Sequence, residues 1–321
     1  MVSLLCALAA LLLFPHDAFA WGSGIHLQLG STVLENLTAI RPAVAAVIGA
    51  YPFDYLYGCI AADITIGKKF THYLLHCHRW QIGLKVLENA ETDSQRACAY
   101  GYLSHLAADT IAHNYYVPYK LMMSFSSLTL KHTYWEMRFE TFVDRETWEV
   151  GKKVAKEHSR ENDSLLSRVV SDTLFSFGTN KRIFNSILLL SRFEKWQQVS
   201  RSLTGASRYA LAESDREEYM LLAQEAVFDF LAGREDSTVF LADPTGERAL
   251  AAAEMVRKNF RTLYLTRKVT RKQALAQIAE MKPRLRDAIS EPHKLLEILS
   301  SEDKHPVHKR PSRQKRGSIL I

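Results

Sequence analysis

Between residues 105 and 113 the chain reads His105-Leu-Ala-Ala-Asp109-Thr-Ile-Ala-His113, three metal-ligand side chains at i, i+4 and i+8. At roughly 100° per residue these positions drift only about 80° around a helix axis, so all three can project from one side. The interleaved Leu106, Ala107, Ala108, Ile111 and Ala112 are apolar and belong in a core. An imidazole or carboxylate that faces a core must be paired, and metal coordination supplies that pairing. Two ordinary core histidines with a helix carboxylate between them is the plainer reading. It suits a single histidine better than this triplet.

Strand signals are scarce along the rest of the chain, and helical periodicity is frequent. Val33 to Ile48 repeats apolar residues every 3.6 positions, and Pro52 is expected to end that helix. Further helices are expected at Trp80 to Ala90, at Ala97 to His113 (stopping before Pro118), and at Leu130 to Val150. Beyond them come Asp163 to Leu174, Lys181 to Val199, Ser214 to Leu231, Gly246 to Leu263 and Arg271 to Ile298. Loops are expected at 177–180, 204–207 and 242–246. The fold class is all-α, a compact multi-helix bundle with its candidate ligands in the first half.

Two other segments carry donors of the same kind. His132-Thr-Tyr-Trp-Glu136 again sets a nitrogen and an oxygen ligand one helical turn apart. Alone it could be a surface pair; placed one short loop after the first triplet, it can face that triplet across a bundle. Asp63 lies in an apolar context, where an unpaired carboxylate is costly. It is followed by His76-Cys77-His78-Arg79-Trp80, in which one histidine can be a ligand while the other caps the next helix or supports the site. Nitrogen and carboxylate ligands of this type suit zinc.

The N-terminus adds one more donor. Residues 1–20 read as a secretory signal, an apolar run from Leu4 to Phe14 followed by Asp17-Ala18-Phe19-Ala20. The apolar run is short for a membrane span. Cleavage would leave Trp21 as the first residue, with a free amine and a carbonyl that can chelate together, and His26 five residues on. The expected location is therefore secreted or periplasmic.

Of 41 basic against 35 acidic residues, Lys304, Lys309, Arg310, Arg313, Lys315 and Arg316 lie after the last acid, Asp303. The body is thus nearly neutral, and residues 301–321 are expected to form a basic, disordered tail. A neutral body does not argue for nucleic-acid binding. Cys59, Cys77 and Cys98 would remain after cleavage, an odd number and so no disulfide framework; one bridge with a spare thiol is allowed, and Cys77, between two histidines, reads as a metal ligand or a small buried side chain.

Taken together these positions resemble the bacterial zinc-dependent phospholipase C family and the related single-strand-specific zinc nucleases. The shared pattern is a mature N-terminal Trp, an early His, Asp then His, His-xxx-Asp with a later His, and His-xxx-Glu or Asp. It maps onto Trp21, His26, Asp63, His78 or His76, His105, Asp109, His113, His132 and Glu136. The short spacing from Trp21 to His26 resembles the nuclease branch, and the final Glu the phospholipase branch. His113 follows Asp109 more closely than in better-known members. Gly24 and Ile64 stand where the choline-type enzyme lines its head-group pocket.

The resemblance implies one all-α domain over residues 21–300, with its ligands in 21–140, and a trinuclear zinc site. His113, His132 and Glu136 would hold one Zn2+, and Trp21 and His26 a second. Asp63, His78 (or His76) and His105 would hold the third, with Asp109 bridging the last two. Asp63 would also orient the attacking water or act as general base, and Arg79 is a candidate phosphate clamp. The implied activity is a phosphodiesterase of phospholipase C type, with phospholipid as substrate and peripheral membrane contact. A nuclease with the same metals is the alternative enzyme, and a zinc-stabilised helical domain that binds a membrane or a partner is the non-enzyme alternative. Tyr115, Tyr116, Tyr119, Met122, Met123 and Phe125 could form a lipid or base platform, or simply core.

Overall fold

The computed structural model describes residues 21–65, 76–127, 132–156, 160–170, 176–191, 209–295 and 298, and all regular structure among them is helical. Helix α1 spans Ser23–Glu35, α2 Pro42–Ala50, α3 Pro52–Ala61, α4 Trp80–Glu88 and α5 Asp93–Ile111. A π turn over Ala112–Tyr116 leads into α6, Val117–Met123. Then follow α7 His132–Glu140, α8 Arg145–Lys156, α9 Arg160–Val169, α10 Phe177–Ser191, α11 Glu213–Gly233, α12 Glu247–Leu265 and α13 Arg271–Asp287.

Helix α5 is the axis of the molecule. It packs on α3, α4 and α11, and every residue from Gly101 to Ile111 is buried. Thr92 caps its first turn by accepting from the Gln95 amide, as a Thr at N-cap does. The contact with α3 is backbone to backbone. A side chain at Gly58 would overlap the Cys98 carbonyl, and one at Gly101 would overlap the Tyr55 carbonyl. Those two glycines let the helices approach closely enough for the end of α3 to deliver Asp63 beside α5.

Several expected boundaries differ. The periodic stretch from Val33 to Ile48 is two helices, and Pro52 starts a helix instead of ending one. Pro42 and Pro52 both sit in first turns, where a missing N–H removes no helical bond. The helix that was to stop before Pro118 continues through the π turn, which shifts the hydrogen-bond register so that Pro118 falls in the first turn of α6. Leu130 to Val150 divides into α7 and α8, because Asp144 accepts the Thr147 amide at 2.6 Å and begins a new helix. The expected loop 177–180 is the first turn of α10. The signal segment 1–20, the loop 204–207 and the tail 301–321 lie outside the described residues.

Among the described residues no single helix is long and apolar enough to cross a membrane; only α2 with α3 and its continuation passes as a pair, bent by 98°. Much of that pair is buried core. Cys59, Cys77 and Cys98 are all buried and form no disulfide among the described residues, which removes the disulfide alternative. Burial pushes the Cys59 thiol up to about 12.

Candidate metal centre

Four segments bring nitrogen and oxygen donors to the carboxylate of Asp109. From α5 comes His105, one turn before it, with Nε2 3.3 Å from Asp109 Oδ2. From α1 comes His26, its Nε2 3.3 Å from Oδ1. From the segment before α4 comes His78, its Nε2 3.3 Å from Oδ2 and 3.2 Å from Asp63 Oδ1. The short 3₁₀ turn after α3 supplies Asp63 itself. His26 and His105 stack with ring centroids 3.7 Å apart, and His78 and His105 approach to 3.1 Å between their Nε2 atoms.

All five side chains are buried, with Asp63 and Asp109 fully so. Burial opposes the charge of Asp109, yet His105, His113 and His26 together hold its carboxyl well below the usual carboxylate range. For His26 burial and the neighbouring His105 outweigh Asp109 and lower its pKa. Both oxygens of Asp109 and Nε2 of His26 are buried without a hydrogen bond of regular geometry, although the imidazole nitrogens stand only 3.3 Å away. Asp109 and His26 thus converge at this distance without a regular bond to each other and are arranged around a space between them. That is how ligands surround a cation, and the His and carboxylate set suits zinc.

Two groups of donors here lie within 4.8 Å of one another, His26 with His105 and Asp109, and Asp63 with His78 and His105. A third group, His113, His132 and Glu136, meets the same limit. His132 Nε2 is 2.7 Å from Glu136 Oε1 one turn along α7, and the rings of His113 and His132 meet edge to face at 5.2 Å. His113 also reaches back to Asp109, 4.0 Å from Nδ1 to Oδ2. His113, in the π turn that continues α5, and the pair on α7 therefore do face each other.

Between His76 and His78, the structure puts His78 with Asp63 and Asp109. His76 is half-buried and accepts the His78 amide on its Nδ1 at 3.2 Å. It forms a separate group with Cys77 and His78 within the 4.8 Å limit. Trp21 is fully buried, its indole 6.5 Å from the His26 ring and 5.2 Å from Phe139. Arg79 is partly buried immediately before α4. Tyr115, Tyr116, Tyr119, Met122 and Phe125 are core residues, and Met123 is partly buried against the core. None of the six therefore forms an exposed platform.

The sequence did not point to three further contributors. His105 Nδ1–H donates to the Cys59 carbonyl at 2.8 Å, and His113 Nδ1–H donates to the Pro244 carbonyl at 2.6 Å. Each bond fixes the ring and its tautomer and leaves Nε2 as the ligand atom. Main-chain carbonyls leave no residue-type signal. Pro244 belongs to a loop wedged against the π turn. Asn114 donates to the Asp243 carbonyl at 2.7 Å, Trp80 donates to the Ala242 carbonyl at 2.8 Å, and Gly246 has φ 58°. A side chain at Gly246 would overlap His113 itself.

The third contributor is Glu140, one turn beyond Glu136, whose i, i+4 spacing extends the series His132–Glu136 and could have been noticed. Helix α1 begins at Gly22 with no side-chain cap. Glu140 supplies one from α7, accepting the Gly24 amide at 2.7 Å. Burial raises its carboxyl to about 7. It thereby ties the start of α1, which carries Trp21 and His26, to the helix that carries His132 and Glu136.

No curated protein and no solved structure matches the chain. A family model described as zinc dependent phospholipase C matches residues 25–177, a range that contains His26, Asp63, His78, His105, Asp109, His113, His132 and Glu136. Over that region the chain is similar to the zinc-dependent phospholipase C family.

Proposed function

We propose that the protein is a secreted phosphodiesterase that hydrolyses phospholipid at the glycerol–phosphate ester. The observation that carries this reading is the convergence of donors from four segments on the buried Asp109 carboxylate, inside the region that matches the family. Three ions fit the three groups of donors. His113, His132 and Glu136 would hold one. The Trp21 amine and carbonyl, with His26, would hold the second once residues 1–20 are removed, and Asp63, His78 and His105 the third. Asp109 would bridge the last two. When bound, zinc lowers the pKa of water towards neutrality and neutralises charge that develops on phosphate oxygens.

The chain's own residues do the positioning. Asp63, buried beside His78 and His105, accepts the proton of the attacking water. The Cys59 and Pro244 carbonyls hold the rings of His105 and His113 so that neither turns during a cycle. The water oxygen bonds to phosphorus and the glycerol oxygen departs with a proton, which releases diacylglycerol and a phosphorylated head group. With Tyr115, Tyr116 and Tyr119 in the core, this stretch offers an exposed platform to neither bases nor lipid. The preference for lipid over the nuclease alternative rests on the matching phospholipase C family model and on the final ligand Glu136.

The test is turnover by the zinc-reconstituted chain beginning at Trp21, on a phospholipid panel beside single-stranded DNA. Diacylglycerol release that a chelator stops is expected. Cleavage of the DNA with no lipid hydrolysed would transfer the assignment to a nuclease.

A further inference from the structure

The near-neutral charge of the body conceals a local excess. Beyond the buried Arg257, which pairs with Glu254, the stretch from Lys258 to Ala279 carries six basic residues, Lys258, Arg261, Arg267, Lys268, Arg271 and Lys272, and no acidic one. The segment is the second half of α12, the turn after it and the start of α13. Helix α12 buries Ala249, Ala252, Ala253, Val256 and Phe260. Its exposed positions Arg248, Ala251, Met255, Lys258, Thr262 and Leu265 recur at alternating spacings of three and four, which lays them in one stripe along the helix.

Met255 and Leu265 in that stripe are 58% and 62% exposed, among the most exposed large apolar side chains described. The stripe ends at a turn where Arg267, Lys268, Arg271 and Lys272 are all exposed. Arg267 and Lys268 complement the negative end of α12. Arg271 and Lys272 stand at the positive end of α13, where a helix dipole disfavours cations. An external anionic surface would offset that arrangement. The other end of α12 begins at Gly246, against His113, so the stripe runs about 28 Å from the metal centre to the basic turn.

We infer that the α12 stripe and the α12–α13 turn dock the protein on an anionic phospholipid surface. Met255 and Leu265 enter the interface, and the basic side chains meet the head groups, as in helices that lie in the membrane plane. The inference builds on the phospholipid reading above and names the surface by which the protein would meet that substrate. The basic segment after Asp303 has the same sign and would be repelled from this patch. A polyanionic nucleic acid would use the charge but not the exposed Met and Leu.

The experiment measures binding of the full zinc-loaded chain to phosphatidylcholine vesicles with and without 30% phosphatidylserine, beside hydrolysis of a soluble short-chain phospholipid. Each basic residue near an anionic surface contributes roughly fivefold to binding. Combined Arg267→Glu, Lys268→Glu, Arg271→Glu and Lys272→Glu should thus weaken binding to phosphatidylserine vesicles more than about 100-fold. Combined Met255→Ser and Leu265→Ser should weaken the part of binding that survives 0.5 M salt. Zinc content, the circular dichroism spectrum and soluble-lipid turnover should stay as in the parent for both. Neutralising Lys309, Arg310, Lys315 and Arg316 to Gln should weaken binding less than the turn variant does.

Vesicle binding unchanged in the turn variant, or parent binding indifferent to phosphatidylserine, would overturn the inference. So would single-stranded DNA bound as tightly as vesicles and released by the same substitutions. Vesicle binding through this patch without any lipid hydrolysis would instead remove the proposed activity and leave the surface standing.

Discussion

The two groups of donors on either side of Asp109 are held in different ways. The inner one, Asp63, His26, His78 and His105 with Asp109, is buried throughout and draws its side chains from elements between α1 and α5. Its outer support, the Cys59 carbonyl, lies at the tight α3–α5 contact. In the outer one, His132 is partly exposed. Here His113 sits in a π turn and takes its support from Pro244, 131 residues away and beyond the region that matches the family. Helix packing fixes the inner group, whereas the outer depends on how the second half of the chain closes over the first. The loop before α12 therefore supports the outer group, and the outer ion should be the one that is lost first.

Substitutions that strike one group and spare the other can break this contrast. The largest effect is expected from Asp109→Asn. It should lower kcat/KM for a soluble phospholipid by more than about 100-fold, since even loss of an outer support to a ligand typically costs 10–100-fold. Activity within tenfold of the parent would show that the inner carboxylate is not central. Next is the N-terminus. One residue retained ahead of Trp21 would displace the amine, and zinc at the His26 position should then fall with the outer ion unaffected. Full zinc content in the extended chain would take Trp21 out of the site.

Gly246→Ala probes the outer group alone. The added methyl meets His113, so the outer zinc should bind about 10–100-fold more weakly while the inner pair is unchanged. A competition titration with a chromophoric chelator reads this directly, and equal loss from all sites would mean that the two groups are not separable. The smallest effect concerns Glu140. Its carboxyl titrates near 4.5 when unfolded and near 7 when folded. A raised carboxyl stabilises the fold below pH 4.5, and that contribution is lost as pH rises through about 7. The metal-free protein should lose stability across that window in urea melts, and Glu140→Gln should flatten the decline. Parallel pH curves would refute this account of Glu140.

The difference between the groups also explains what could be read from sequence. The spacing of His105, Asp109 and His113 marked a helix with ligands on one side, and the structure brings all three together because α-helical geometry is local. The helix start at Pro42 was read through and the boundaries at Pro52 and Pro118 were misplaced because proline stops a helix or starts one depending on which turn it occupies, and tertiary packing decides that. His76 and His78 were equivalent in sequence, and only the position of Asp63 separates them. The Pro244 carbonyl and the role of Gly246 are set by a long-range contact that no spacing rule encodes. Tyr115 and Tyr116 read more readily as core than as platform, and α11 supplies Tyr219 to pack against both.

The most direct test of a shared inner carboxylate and a separate outer site is zinc per chain, by elemental analysis, in the chain beginning at Trp21. The parent should hold three zinc ions, Asp109→Asn should hold one, and His132→Ala should hold two. Equal losses from the two variants, or three ions retained in Asp109→Asn, would contradict a bridge at Asp109 and with it the division into two unequal sites.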